Sequence, residues 1–266
     1  MTGSTAGEPA SGTSWPAKRD NTARPPVFLS EPAALAADQV VLDGPEGRHA
    51  ATVRRLTPGE RVNLTDGAGL VAECVVTAAR AGALDLRVLA RRSDPRPDPV
   101  LVVAQALPKG DHGPLAVDLM TEGGVDVIVP WAAQRCVTRW QGERGDRALA
   151  RWRSAAREAA KQARRAWLPK VTEPVSTTAL VRRVASASLA VLLDPAAPAP
   201  LSELELPDSG DIVLIVGPEG GVSPAEAAEL TGAGATGARL GPGVLRTSSA
   251  GLVAVTVVAS RSGRWR

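Results

Sequence analysis

The chain has 266 residues, 44% hydrophobic and 22% charged, a balance that fills a core and excludes a disordered chain. Its formal charge of +3 is modest, and its two distant cysteines, Cys74 and Cys136, exclude a disulfide scaffold and suit a reducing cytoplasm. The apolar run Leu252 to Ala259 falls far short of the ~20 residues a membrane helix needs, and the N-terminus has no apolar leader, so a soluble cytoplasmic protein of one large or two modest domains is expected.

Residues 1 to 24 are mostly small, polar and charged, and read as a flexible tail. From Val27 to Ala90 the pattern is short and alternating. Arg61 to Thr65, Val71 to Ala78 and Ala83 to Leu89 read as strands, with a turn at Asp66-Gly67-Ala68-Gly69, and together predict a small antiparallel barrel over residues 25 to 94. Arg91 to Pro99, rich in proline and charge, marks a domain boundary. From residue 99 to the end the grammar is different. Val100 to Ala106 is a continuous apolar strand, and Asp111 opens a helix carrying Leu115, Leu119 and Met120. Val125 to Val129 is the next strand, followed by a long basic helix around Asp146 to Arg165. The helix Thr177 to Ala185 precedes the apolar strands Leu189 to Leu193 and Asp211 to Val216, and a short strand is expected at Ala238 to Leu240. Strands apolar on two faces, alternating with helices, predict an α/β domain with a parallel sheet.

Charge is unevenly spread. Between Arg135 and Lys170 eleven basic residues stand against Glu143, Asp146 and Glu158, a local net of +8. Trp131, Trp140, Trp152 and Trp167 lie in or beside this window. Cations interleaved with aromatic rings suit phosphates and unstacked bases, whereas a solvated helix with inward-packed tryptophans is the plainer reading. Arg157, Arg164 and Arg165 are the candidate phosphate contacts.

Two motifs mislead. Gly232-Ala233-Gly234-Ala235-Thr236-Gly237 is a literal G-x-G-x-x-G, but it follows a helix and precedes a strand, the reverse of a dinucleotide fingerprint, so a nicotinamide-dependent oxidoreductase is a weak third reading. Ser223 lacks the glycine spacing of a nucleophile elbow, and Ser223, Pro224 and Glu226 fit a capping box. His49 and His112 are the only histidines, so neither a metal site nor a histidine triad is expected. What remains are two glycine loops directly after apolar strands, Gly217-Pro218-Glu219-Gly220-Gly221 and Gly241-Pro242-Gly243. The carboxyl ends of parallel strands are where open α/β sheets bind ligands.

Several ordered strings carry a resemblance: Gln105 to Asp111, Thr121 to Asp126 with Ile128 to Pro130, Glu158 to Arg165, Gly217 to Gly221, and Leu240 to Ala250. Together, over Val27 to about Val258, they resemble the RsmE family, the small-subunit (16S) ribosomal RNA uridine-N3 methyltransferases of the SPOUT class. The resemblance implies an N-terminal PUA-like RNA-binding barrel, a trefoil-knotted methyltransferase domain, S-adenosylmethionine (SAM) bound in the knot, and a homodimer that completes each site. It also implies 16S rRNA or the small ribosomal subunit as partner. Backbone groups around Leu193, Gly217, Gly220, Leu240, Gly241 and Leu245 would hold the cofactor, Arg246 would stabilise charge on uracil, and Glu219 would be the base or a loop-holding group. The chain departs from the family at Ser248, where an acid is usual, and at Arg48-His49, where two histidines are usual. The alternative is a non-catalytic RNA-binding protein that retains the fold.

Overall fold

The computed structural model describes residues 25–265, and the expected tail over residues 1 to 24 lies outside the described residues. The N-terminal part, Val27 to Ser93, forms a five-stranded sheet from β1 (Val27–Leu29), β2 (Gln39–Leu42), β3 (Arg61–Thr65), β4 (Leu70–Arg80) and β5 (Ala83–Ser93), in the order β1-β3-β4-β5-β2. Alternation explains it: Ala72, Cys74 and Val76 of β4 and Leu84 and Leu86 of β5 point into one core with Phe28, Leu42 and Leu64. The sheet is not wholly antiparallel as the sequence predicts, because β1 runs parallel to β3 in the register Val27↔Asn63. The chain leaving β1 passes over β3 and β4 as a short helix, α1 (Pro32–Leu35), instead of turning back as a hairpin, so nothing forces β1 antiparallel. After β2 comes α2 (Gly44–Arg48), continued by a π turn at His49–Val53.

The C-terminal half is a six-stranded parallel sheet in the order β11-β9-β10-β6-β7-β8. Its strands are β6 (Val100–Ala106), β7 (Val127–Trp131), β8 (Lys170–Val171), β9 (Leu189–Leu193), β10 (Asp211–Val216) and β11 (Thr236–Ala238). Between them run α3 (His112–Gly123), α4 (Gly142–Gln162), α5 (Thr177–Ser186), α6 (Pro224–Gly232) and the C-terminal α7 (Thr247–Arg261). Every residue of β6 and β7 is buried, as expected of strands covered on two faces. Helix α3 packs against α4 and α7, closely at Gly251, where a Cβ would lie 2.4 Å from Met120 Sδ. No helix among the described residues is long and apolar enough to cross a membrane.

Strands β4 and β5 run longer than the sequence reading, β5 reaching Ser93 inside the expected boundary segment, α5 is one residue longer, and three further elements differ in their bounds. Strand β7 starts at Val127 because Gly124, at φ +101°, caps α3, and the Val125 N–H still bonds to the Met120 carbonyl at 3.0 Å. Helix α4 starts at Gly142 and ends at Gln162, before Arg164. Strand β11 pairs with β9 only through Thr236–Ala238, after which Arg239 turns to pair with Ala199 and Leu201, leaving Leu240 in the following loop.

The two sheets are joined through the predicted turn at Asp66 to Gly69. The Leu168 N–H donates to the Gly67 carbonyl at 2.9 Å, and the Thr65 hydroxyl to the Ala166 carbonyl at 3.1 Å. Gly69 has no room for a side chain, since a Cβ would sit 2.6 Å from the Asp94 carbonyl. Lys161 at the end of α4 reaches Glu46 of the barrel at 2.9 Å, both side chains largely buried.

Candidate active site

Three loops at the carboxyl ends of β9, β10 and β11 enclose a cavity of about 390 Å³. That size suits a small-molecule site. The loop after β10 doubles back at Gly217, where a Cβ would lie 2.8 Å from Val222, and turns at Gly221, whose φ of +73° favours glycine. Its far end is fixed by the capping box. The Ser223 hydroxyl accepts from the Glu226 N–H at 3.3 Å, and the Glu226 carboxylate accepts from the Ser223 N–H at 3.3 Å.

Glu226 does more than cap. Its carboxylate also accepts from the Gln134 N–H at 2.8 Å, the Thr177 hydroxyl at 2.8 Å and the Ser223 hydroxyl at 2.8 Å, while Thr177 accepts from the Trp131 indole N–H at 3.1 Å. Burial alone would raise this carboxyl's pKa, but donors from Gln134, Thr177 and Ser223 hold it below the usual carboxylate range. The loop after β10 is thereby tied to β7 and α5.

The loop between β11 and α7 supplies Leu240, Gly241, Gly243, Val244 and Leu245 to the same cavity. A Cβ at Gly241 or Gly243 would meet nothing within 4 Å. Apolar walls come from Leu192, Leu193, Val216 and Ala250, and Asp194 follows at the end of β9. A second cavity of about 390 Å³ adjoins the first. Glu219, Val244, Leu245 and Thr247 line both, and His112, Arg246 and Ser248 line the second alone.

Leu193, Gly217, Leu240, Gly241 and Leu245 thus meet around one cavity. Gly220 stands outside that lining: its carbonyl accepts from Arg135 at 3.0 Å, and a Cβ on it would point at Arg135, so Gly221 takes the place expected of it. Arg246 is the N-cap of α7, and its carbonyl accepts from the Ala250 N–H at 2.9 Å. The backbone is fixed while the guanidinium makes no hydrogen bond or ion pair with the described residues. Glu219 accepts from the Lys109 N–H at 3.2 Å, joining its loop to the one that follows β6.

Of the proposed phosphate contacts, Arg157 and Arg164 are exposed and Arg165 is not. Arg165 donates to the carbonyls of Thr121 at 2.9 Å and Val125 at 2.6 Å and pairs with Asp126 at 3.3 Å. Burial lowers its pKa to about 10, with Asp126 opposing that shift. A guanidinium so enclosed is structural, which removes Arg165 from the phosphate-binding set. The tryptophans also pack inward: Trp131 and Trp152 are buried, Trp140 meets Trp152 edge-on at 5.0 Å, and the Trp167 indole N–H donates to the Asp94 carbonyl at 3.0 Å. In the barrel Arg48 is exposed, whereas half-buried His49 lies edge-on to Phe28 at 6.1 Å.

Sequence reasoning did not find Asp194 or His112 as lining residues, nor the anchoring role of Glu226. The only local signal was the capping box, since the rest depends on where loops distant in sequence meet.

Residues 95–259 match the family described as the RNA methyltransferase domain, and residues 42–89 the RNA methyltransferase PUA domain. The ribosomal RNA small subunit methyltransferase E of Mycobacterium tuberculosis is 47% identical over 229 residues, 85% of this chain and 87% of the relative. The protein of the same name from Bacillus subtilis is 27% identical, covering 82% of this chain and 88% of the relative. Among solved structures, the Neisseria gonorrhoeae ribosomal RNA small subunit methyltransferase E bound to S-adenosyl methionine superposes with a TM-score of 0.79 at 27% identity, covering 90% of this chain and 98% of that one.

Proposed function

The chain belongs to the RsmE family of ribosomal RNA small subunit methyltransferases, and from that premise we propose that it transfers a methyl group from SAM to N3 of a uridine in 16S rRNA. The observation that carries this reading is the pair of adjoining cavities sharing Glu219, Val244, Leu245 and Thr247. One suits the cofactor and the other the acceptor base. The glycine-lined cavity fits SAM, because Gly241 and Gly243 leave backbone within reach and Leu193, Val216 and Leu240 offer apolar surface to an adenine ring. Leu193, Gly217, Leu240, Gly241 and Leu245 would hold it, in the trefoil knot that the family's fold implies.

Bound SAM supplies an electrophilic methyl group on a sulfonium. The protein's part is to orient uracil so that N3 faces that methyl, since alignment supplies much of the acceleration. Arg246, on a backbone fixed by α7, places a positive donor in the acceptor cavity, where it stabilises negative charge on the uracil oxygens as the N3 proton passes to solvent water. Glu219 acts as a latch through its bond to the Lys109 N–H. Exposed Arg157 and Arg164 serve as phosphate contacts, and the PUA-like barrel adds RNA-binding surface.

A homodimer belongs to the same proposal. The expected interface segment Leu252 to Ala259 divides in two: Ala254, Val255, Val258 and Ala259 fill the subunit's own core, while Leu252, Val253 and Val257 remain half-buried. Leu115 on the neighbouring α3 is 47% exposed and Val244 at the cavity rim 81%. Exposed and half-buried apolar side chains on the packed helices α3 and α7 and at the cavity rim support two-fold pairing there. The enzyme acts in the cytoplasm, where its RNA substrate is.

Calorimetry with SAM, paired with transfer of labelled methyl to small-subunit RNA, tests the reading. Saturable SAM binding with RNA-dependent transfer is expected. RNA binding with neither would leave the non-catalytic alternative standing.

A further inference from the structure

A third cavity lies on the other side of the loop that carries Lys109 and His112. It is about 130 Å³, lined by Pro108, Gly110 and Asp111 of that loop, Gly113 in the first turn of α3, Trp140 just before α4, and Arg144, Ala148 and Arg151 along the first half of α4. Arg144, Ala148 and Arg151 are spaced four and three residues apart, so they form one stripe on the helix. The walls are preformed. A Cβ at Gly113 would lie 2.4 Å from the Trp152 indole nitrogen, and one at Gly145 would lie 2.9 Å from the Trp140 backbone.

Three of the polar side chains here, Asp111, Arg144 and Arg151, have no hydrogen-bond partner among the described residues, while Thr138 beside them donates to the Pro108 carbonyl at 2.9 Å. Asp111 occupies the N-cap position of α3, yet its side chain makes no capping hydrogen bond. Neither Arg144 nor Arg151 makes a hydrogen bond or ion pair with the described residues, unlike Arg139, whose guanidinium is held by the carbonyls of Ala133 and Gln134, each at 2.9 Å. Trp140 is half-buried, with its ring edge-on to Trp152. An indole surface, two free guanidinium groups and one acceptor, around a cavity a third the size of the acceptor site, suit a single base with its phosphate.

We propose that this cavity binds a nucleotide flanking the target uridine. Trp140 gives its base a stacking surface, Asp111 accepts from an exocyclic amine, and Arg144 and Arg151 hold the adjoining phosphates. The proposal rests on the RNA methyltransferase reading, and the connection is structural. Asp111 and His112 are consecutive residues that line this cavity and the acceptor cavity respectively, so one loop separates the two. A strand that delivers uracil beside His112 must cross that loop, and its neighbouring nucleotide arrives at Trp140. This stripe is distinct from the opposite face of α4, where Arg153 and Arg157 line a separate groove with Leu168.

The test uses the full chain and small-subunit RNA whose methylated uridine has first been mapped by mass. RNAs carrying one abasic nucleotide at each position near that uridine are compared with intact RNA. For the wild-type protein one abasic position should raise the RNA KM roughly tenfold, the usual scale for a lost stacked base. Ala148→Met fills the cavity with a good helix former. It should raise the KM for intact RNA to a similar degree, erase the penalty at that abasic position, and leave SAM affinity unchanged. Arg144→Gln with Arg151→Gln should flatten the log-log salt slope of RNA binding by about 0.7 per phosphate contact, a readout that stands even if Ala148→Met folds poorly. A wild-type abasic profile in Ala148→Met, or an unchanged slope in the arginine variant, overturns the subsite while methyl transfer by the wild type upholds the parent reading. If the wild type methylates no uridine, the parent reading fails first.

Discussion

Glu226→Gln isolates the anchor beneath the cofactor loop. The carboxylate accepts from Gln134, Thr177 and both donors of Ser223, and the residue is only 5% exposed. A glutamine keeps one acceptor oxygen. If that oxygen stays with Gln134 and Thr177, the amide faces Ser223, whose hydroxyl can rotate to accept but whose backbone N–H cannot. One orphaned donor costs about 1–3 kcal/mol, and the remaining bonds lose charge assistance worth about 1 kcal/mol more. The expected destabilisation is therefore about 2–4 kcal/mol, a fall in Tm of about 5 to 15 °C for a chain of this size. SAM affinity should weaken as well, because the loop from Gly217 to Val222 hangs from this carboxylate. The pH dependence has a defined sign. A carboxyl held below its ordinary value of 4.5 contributes full stability at neutral pH and loses it as pH falls through the depressed folded value. Thermal melts of wild type and variant should differ at pH 7 and converge in acid. Equal melting at pH 7, or a gap that persists into strong acid, would refute the network's role.

Gly241→Val places a branched side chain in open cavity space, so it should sharply weaken SAM binding by calorimetry while leaving the Tm near wild type. Gly220→Val should weaken it far less, since Gly220 faces Arg135. Arg246→Ala should lower kcat by about a hundredfold to a thousandfold with little change in SAM affinity, the pattern of a donor engaged in the transition state. Glu219→Gln should keep most activity, because an amide oxygen still accepts from Lys109. Arg157→Gln and Arg164→Gln should flatten the salt slope of RNA binding without lowering Tm, whereas Arg165→Gln should lower Tm because the Val125 carbonyl loses its guanidinium donor and Asp126 is left with Arg264 as its one cationic partner among the described residues. Light scattering should find a dimer at micromolar concentration, and Leu115→Glu on the exposed face of α3 should dissociate it.

Local signals were the readable ones. Strands β6, β9 and β10 were legible to the residue as apolar runs with clear stops, and the capping box at Ser223 was written in four consecutive positions. The G-x-G-x-x-G string was correctly dismissed: Gly232 ends α6, Gly234 turns at φ +106°, and Gly237 sits in β11. Arg164 and Arg165 show where reading stops. They are identical neighbours, yet Arg164 at φ +57° turns the chain out of the helix and Arg165 swings inward to Asp126, 39 residues away in sequence. Nothing within a helical period announces that partner. The glycine loops were found because they follow strands, but which glycines face the cavity depends on Arg135 and Val222, side chains that only folding brings beside them.

The most direct test of the central claim incubates the purified protein with SAM and small-subunit RNA lacking the modification, then digests the RNA and maps methylated nucleosides by mass. A single uridine gaining N3-methyl, in an amount that depends on SAM and is lost with Gly241→Val, is the predicted result. Methyl on a ribose or on another base, or no methyl despite measured SAM binding, would contradict the assignment of the two adjoining cavities to cofactor and uracil.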